Sequence, residues 1–241
     1  MSSATMNRIG TRNNASGVLS RLEVPARKTF ERTFLRNLLE TTAWFEDHSR
    51  SAGNLNEYEW EKFQENTAFL VCHLIEEIRI RNELFNVGFD GGEVSRTAFN
   101  TLSVAEEVAR YYGILGETRN VQVVVDPASA SVEVRSNEVL LKNILGVMVR
   151  NALDATPPCG RVTVGVLGQS SGISFSVHHE GFEHWNLPLN LSNDIPFAED
   201  RGGREELDSL QIIVEKSLGG TVTRTGCLDD GTTRNILLPR D

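Results

Sequence analysis

Few side chains in this 241-residue sequence stand in groups that could do chemistry. His178 and His179 are adjacent, so on a strand they point to opposite faces and cannot both enter one site. Neither has further ligands spaced to complete a metal centre. Cys72, Cys159 and Cys227 are far apart and odd in number, which fits neither a disulfide framework nor a zinc spacing. They read as reduced thiols of a cytoplasmic protein. No Ser-His-Asp or Cys-His arrangement stands out for nucleophilic catalysis. His48 falls on the margin of an apolar stripe and His73 adjoins Leu74, and both read as structural. What remains near the N-terminus is Arg36-Asn37, with Thr41 one turn further on. An amide and a hydroxyl at that spacing could position a water molecule. The guanidinium of Arg36 stays protonated near neutral pH and cannot serve as an ordinary nucleophile.

The elements that must hold these residues fall into two kinds. Residues 1–25 are rich in Ser, Asn and Arg without periodicity and read as a flexible tail or the remnant of an upstream segment. From about Ala26 to Ser51, Phe30, Phe34, Leu38, Thr41 and Phe45 recur at helical spacing, with Leu35 and Thr42 beside them. Arg36 lies about 160° around that helix from the stripe and is expected to face outward. After a turn at Ser51–Asn54, a second helix is expected from Glu57 to Asn86 on the stripe Trp60, Phe63, Thr67, Leu70, Val71, Leu74, Ile75, Ile78 and Phe85. A lone hairpin cannot cover two such stripes, so residues 26–88 are expected to dimerise as a four-helix bundle.

Gly88 to Gly92 breaks the pattern, and residues 93–241 read as a second domain. Ser103 is placed to cap a helix through Tyr112, Val121–Val125 reads as a strand, and Ser136 is placed to cap a helix to about Ala155. Arg161–Leu167 and Ile173–His178 alternate as a strand pair. Leu207–Leu218 reads as a helix stopped by Gly219-Gly220, and Thr221–Thr225 with Thr232–Leu238 as a closing hairpin. The whole is an α+β chain, a two-helix hairpin followed by an α/β sandwich whose mixed sheet is covered on one face by helices. The formal net charge of −9 argues against general nucleic-acid binding and against anionic membranes. No apolar run reaches 18 residues, and the first 20 residues carry no secretory h-region.

The segment from Leu140 to Thr156, ending Asn151-Ala-Leu-Asp154-Ala-Thr156, resembles the N box of histidine kinases of the GHKL ATPase superfamily. Gly219-Gly-Thr-Val-Thr223 and Asp230-Gly-Thr-Thr233 before an apolar strand are similar to the end of that ATPase domain, and the resemblance spans roughly residues 28–239. It implies that Asn151, with Asp154 nearby, faces a Mg-ATP cleft. A side-chain amide oxygen on a rigid helix is a hard, neutral Mg²⁺ ligand. It also implies that Phe34–Thr41 is the phosphoacceptor frame, with Arg36 where the His belongs and Asn37 where the acid belongs.

Other positions depart from the pattern. His179 stands where an Asp should accept from the adenine amino group, with Gly181 the one glycine left behind it, and a neutral imidazole is a weaker acceptor than a carboxylate. Glu205, Glu206 and Asp208 follow Gly202-Gly203 where backbone N–H groups should hold phosphate. The segment 182–204 that should form the lid is short and lacks the basic or aromatic signal usual in that family. The resemblance therefore implies a two-component signalling protein with a degenerate nucleotide cleft, no bound cofactor, and a receiver domain or partner histidine kinase as its target. Two alternatives stay open: a kinase that still binds Mg-ATP and uses another phosphoacceptor, and a response-regulator phosphatase acting through Asn37 and Thr41.

Overall fold

The computed structural model describes residues 31, 33–87, 96–180, 210–227 and 231–239. The tail, the Gly88–Gly92 break, Gly181, the lid, Gly202–Ser209 and Asp230 lie outside the described residues. Helix α1 runs over 31–51, a 3₁₀ turn covers Ala52–Asn54, and helix α2 spans Glu57–Val87. Asn56 and Glu59 start α2 with a reciprocal box: the Glu59 N–H donates to Asn56 Oδ1 at 2.9 Å and the Asn56 N–H to Glu59 Oε2 at 3.0 Å.

The α/β unit follows as β1 (Thr97–Asn100), α3 (Thr101–Glu117), β2 (Gln122–Val125), β3 (Glu133–Ser136), α4 (Glu138–Ala155), β4 (Arg161–Gln169), β5 (Gly172–His179), α5 (210–218), β6 (Thr221–Cys227) and β7 (Gly231–Pro239). The main sheet has the order β2-β4-β5-β7-β6. Its β2–β4 pair is parallel and the other pairs are antiparallel. The four-residue strands β1 and β3 pair antiparallel in a separate two-stranded sheet, which the sequence reading did not anticipate.

The caps of α3 and α4 differ from expectation by one element of detail. Asn100 accepts from the N–H groups of Leu102 and Ser103, and Asn137 accepts from that of Leu140 at 2.6 Å. Ser103 is inside the first turn of α3, and Ser136 is the last residue of β3. In both places an asparagine directly precedes the helix, and its carbonyl reaches the free N–H groups of the first turn. The last five residues of α5 form a π turn, closed by Gly219 at φ 67°, a conformation open to glycine at little cost.

One face of the sheet carries Val162, Val164, Val166, Ile173, Phe175, Val177, Ile236 and Leu238 into the core. Helix α4 meets them with Leu140, Leu141, Ile144, Leu145, Met148, Val149, Ala152 and Leu153, all buried. The hairpin packs differently. Helix α1 buries Thr33, Asn37, Thr41 and Trp44, a face repeating at four, four and three residues. Of the expected stripe, Thr41 is buried, Phe34 and Phe45 are half-buried, Leu38 is exposed, and Phe30 is outside the described residues. The sequence holds two competing faces on this helix, and the polar one won the place against α3 and α4. Leu35, Leu38 and Leu39 on α1, with Val71, Ile75 and Ile78 on α2, remain exposed. Among the described residues, no helix is long and apolar enough to cross a membrane.

Candidate functional site

Helix α1 lays its Arg36–Thr41 turns against the C-terminal end of α4 and against α3. Arg36 Nη1 donates to Asp154 Oδ2 at 2.7 Å, and Arg119 Nη1 donates to Asp154 Oδ1 at 2.6 Å. Glu40 on α1 accepts from Arg119 and, through both oxygens, from the guanidinium of buried Arg150. Burial opposes the charge on Arg150, but the Glu40 hydrogen bonds and the Asp154 charge outweigh it and raise the Arg150 pKa. Three guanidinium groups and two carboxylates thus form one network between the hairpin and the α/β unit, and partners shielded from water interact more strongly than on an open surface. Arg36 keeps 43% of its side chain exposed, yet it is ion-paired rather than simply solvated.

Next along the seam, Asn37 Nδ2 donates to Glu77 Oε1 on α2 at 2.9 Å and to the Tyr112 hydroxyl on α3 at 3.0 Å. Gly146 on α4 admits that hydroxyl, because a Cβ there would stand 2.9 Å from it. Phe69, His73 and Glu77 recur every fourth residue on α2. His73 stacks on Tyr111 with ring centroids 3.7 Å apart, and the guanidinium of Arg110 sits 4.2 Å over Phe69. Burial pushes the Glu77 carboxyl up to about 7, against the Asn37 hydrogen bond. Burial, and then the charge of Lys142, push His73 down to about 4. Burial, reinforced by Glu77, raises both Tyr111 and Tyr112, so the phenols stay neutral. His48 is structural as well: its Nδ1 meets the Trp44 carbonyl at 2.9 Å and its ring stacks on Trp44 at 4.1 Å.

The residues assigned to the nucleotide cleft are not all brought together. Asn151 is buried on α4, and its Nδ2 makes no hydrogen bond within the described residues. Asp154, one turn on, is directed to Arg36 and Arg119. His179 is buried at the end of β5, in register with Thr232 on β7. His178 points to the other face and meets Thr233 Oγ1 at 2.9 Å, the alternation expected of neighbours on a strand. Arg234 lies two residues beyond Thr232 on the buried face, in register with Val177. Gly181 is outside the described residues.

Mg²⁺ asks for several hard oxygens in octahedral array. The described residues offer the neutral Asn151 amide and the Asp154 carboxylate, which is committed to guanidinium groups, so phosphates and water would have to supply most of a Mg²⁺ shell here. Among the described residues no group of three or more His, Cys, Asp or Glu could hold a metal. Sequence reasoning passed over Glu40, Arg119, Arg150 and Arg234. Arg150 and Asp154 at four-residue spacing were a signal of sorts, whereas nothing in the sequence marked Arg119 as their neighbour.

No protein-family model and no curated protein matches the chain. Among solved structures it is similar to histidine kinase ThkA in complex with response regulator protein TrrA. The identity is 18%, covering 99% of this chain and 68% of that one, with a TM-score of 0.54. The chain has the histidine kinase core fold. The nucleotide-free catalytic domain of ThkA aligns with 60% of this chain and 97% of its own length, at 20% identity and a TM-score of 0.50. In this kinase-core fold the hairpin precedes a GHKL-type α/β sandwich, so α1 and the Asn151 helix α4 are the two elements whose chemistry has to be compared.

Proposed function

We propose that this chain is a two-component signalling protein whose dimeric hairpin docks a response-regulator receiver domain or a partner histidine kinase without donating a phosphoryl group. The observation that carries the reading is Arg36. The resemblance puts a phosphoacceptor His at this position, and here a guanidinium stands there, bound to Asp154. A group that stays protonated has no lone pair to attack a phosphorus atom. ThkA is solved with its response regulator TrrA, which supports a receiver domain as the partner. The exposed band of Leu35, Leu38, Leu39, Val71, Ile75 and Ile78 supports a second copy of the hairpin as its cover. The phosphatase alternative finds less support, because Asn37 and Thr41 are 0% and 1% exposed and cannot position water at a surface in this arrangement.

The test is incubation of the purified chain with γ-labelled ATP and Mg²⁺, read as acid-labile label on protein. No label is expected. Label that disappears in a His48→Ala variant would replace this reading with that of a kinase using another acceptor.

A further inference from the structure

We propose that the polar seam between α1 and the α/β unit is a latch centred on Glu40, which holds the two parts closed and opens as a unit when that charge is lost. Three observations combine. First, charged groups dominate the contacts that cross from α1 to the α/β unit: Arg36 to Asp154, and Glu40 to Arg119 and Arg150, beside the neutral hydrogen bond from Asn37 to Tyr112. Arg119 bridges the two carboxylates, so the five charges are connected and loss of one member leaves like charges facing each other. Glu40 takes both oxygens to Arg150 and also meets Arg119, while Asp154 pairs with Arg119 and lies 3.6 Å from Arg150, so removing the Glu40 charge leaves one carboxylate among three guanidinium groups.

Second, the seam is incompletely paired. Asn37 Oδ1 and, on α4, Arg150 Nε are buried there without a hydrogen-bond partner among the described residues. Opening returns these atoms to water, which offsets part of the loss of the ion pairs. An apolar core has no such compensation. Third, the parts that separate are coherent. Among the described residues, the buried apolar cluster draws Trp44 and Leu70 from the hairpin and its other members from the α/β unit. The outer side of α1 already presents Leu35, Leu38 and Leu39 away from the seam. The closed latch also buries Asn37 and Thr41, so a partner that reads this face of α1 meets it only with the latch open. That gating rests on the docking function proposed above, whereas the latch itself does not.

Amide hydrogen exchange on the full chain tests the latch. In Glu40→Gln, amides in 37–45 of α1 and 150–155 of α4 are expected to exchange about tenfold to a hundredfold faster, the scale set by a charge-assisted hydrogen bond. Amides of β4 and β5 should stay as protected as before. Unchanged protection in both segments overturns the proposal. So does a uniform rise that includes β4 and β5, since Glu40 would then stabilise the whole fold. Arg119→Gln, which leaves the Glu40–Arg150 pair in place, covers the case in which Glu40→Gln does not fold. It should accelerate the same two segments a few-fold, and no change in either overturns the latch. Binding of a receiver domain, measured separately, should strengthen in Glu40→Gln. Unchanged binding with accelerated exchange would remove the gating and leave the latch.

Discussion

Helices α1 and α4 lie against each other and solve burial in opposite ways. Helix α4 buries a continuous run of leucines, valines and a methionine and turns few polar groups inward. Helix α1 buries Asn37 and Thr41 beside Trp44 and leaves three leucines outside. Helix α4 is held by transfer of apolar surface from water, which needs no particular partner. Helix α1 is held by directional bonds to named groups on three other helices. The difference teaches that a hydrophobic stripe locates a helix's partner only when that partner is the chain's own core. On α1 the leucines at 35, 38 and 39 stay exposed and the internal contact is made by the polar face.

The largest effect that separates the two helices is expected from Leu145→Ala on α4. Leu145 is fully buried, and the truncation should cost about 2–5 kcal/mol of global stability, seen as a lower urea midpoint. A loss below about 1 kcal/mol would mean that α4 is not the core helix described here.

The pH dependence of the seam comes next. Glu77 is raised to about 7, so its contribution to the packed state is complete below its ordinary value of 4.5 and is lost as pH climbs through 7. His73 is lowered to about 4, so its contribution is complete above 6.5 and is lost as pH falls through 4. The two slopes cancel between 4.5 and 6.5, and the wild-type chain should be nearly flat in that window. His73→Phe keeps a ring on Tyr111 and exposes the Glu77 slope, so stability should fall by up to about 3 kcal/mol from pH 4.5 to 7 at about 1.4 kcal/mol per unit. Glu77→Gln should give the opposite slope, falling from pH 6.5 to 4. Urea titrations at four pH values measure both, and parallel curves for the two variants would contradict the cancellation.

Leu39→Asp with Ile75→Asp tests the exposed band. Both side chains are more than half exposed, so the fold should lose less than about 1 kcal/mol. The mass by light scattering should fall from dimer to monomer, and a monomeric wild-type chain would remove the dimer from the proposal. The smallest effect is expected from Arg36→Ala. The pair with Asp154 is partly open to solvent, and its loss should change stability by about 1 kcal/mol or less.

The sequence made the α/β unit legible because period and punctuation agreed there. Alternation marked β4 and β5, Gly219 stopped α5, and the Asn151 segment pointed to a known helix. The small β1–β3 sheet was not legible, because four-residue strands carry too few alternations to register. The caps were misread by one and three residues, since Asn137 follows Ser136 directly and Asn100 stands three residues before Ser103, serines with an equal claim to the role. The seam was least legible of all. Arg36 could be placed on the outer side of a helix, but its partner Asp154 is 118 residues away, and only the tertiary fold brings them together. Glu40, Arg119 and Arg150 each look like an ordinary surface charge when met alone.

That distance along the chain has a consequence for inheritance. Arg36, Glu40, Arg119, Arg150 and Asp154 form one electrostatic circuit, so a substitution at one of them alters the fitness of the residues allowed at the other four. They should descend together. A relative with a neutral residue at position 40 is expected to have given up one of the arginines at 119 and 150 as well, because Asp154 alone would then face three guanidinium groups. Position 36 is bound by the same rule: a histidine placed there would leave Asp154 to Arg119 and Arg150, so a change at 36 is felt far along the chain.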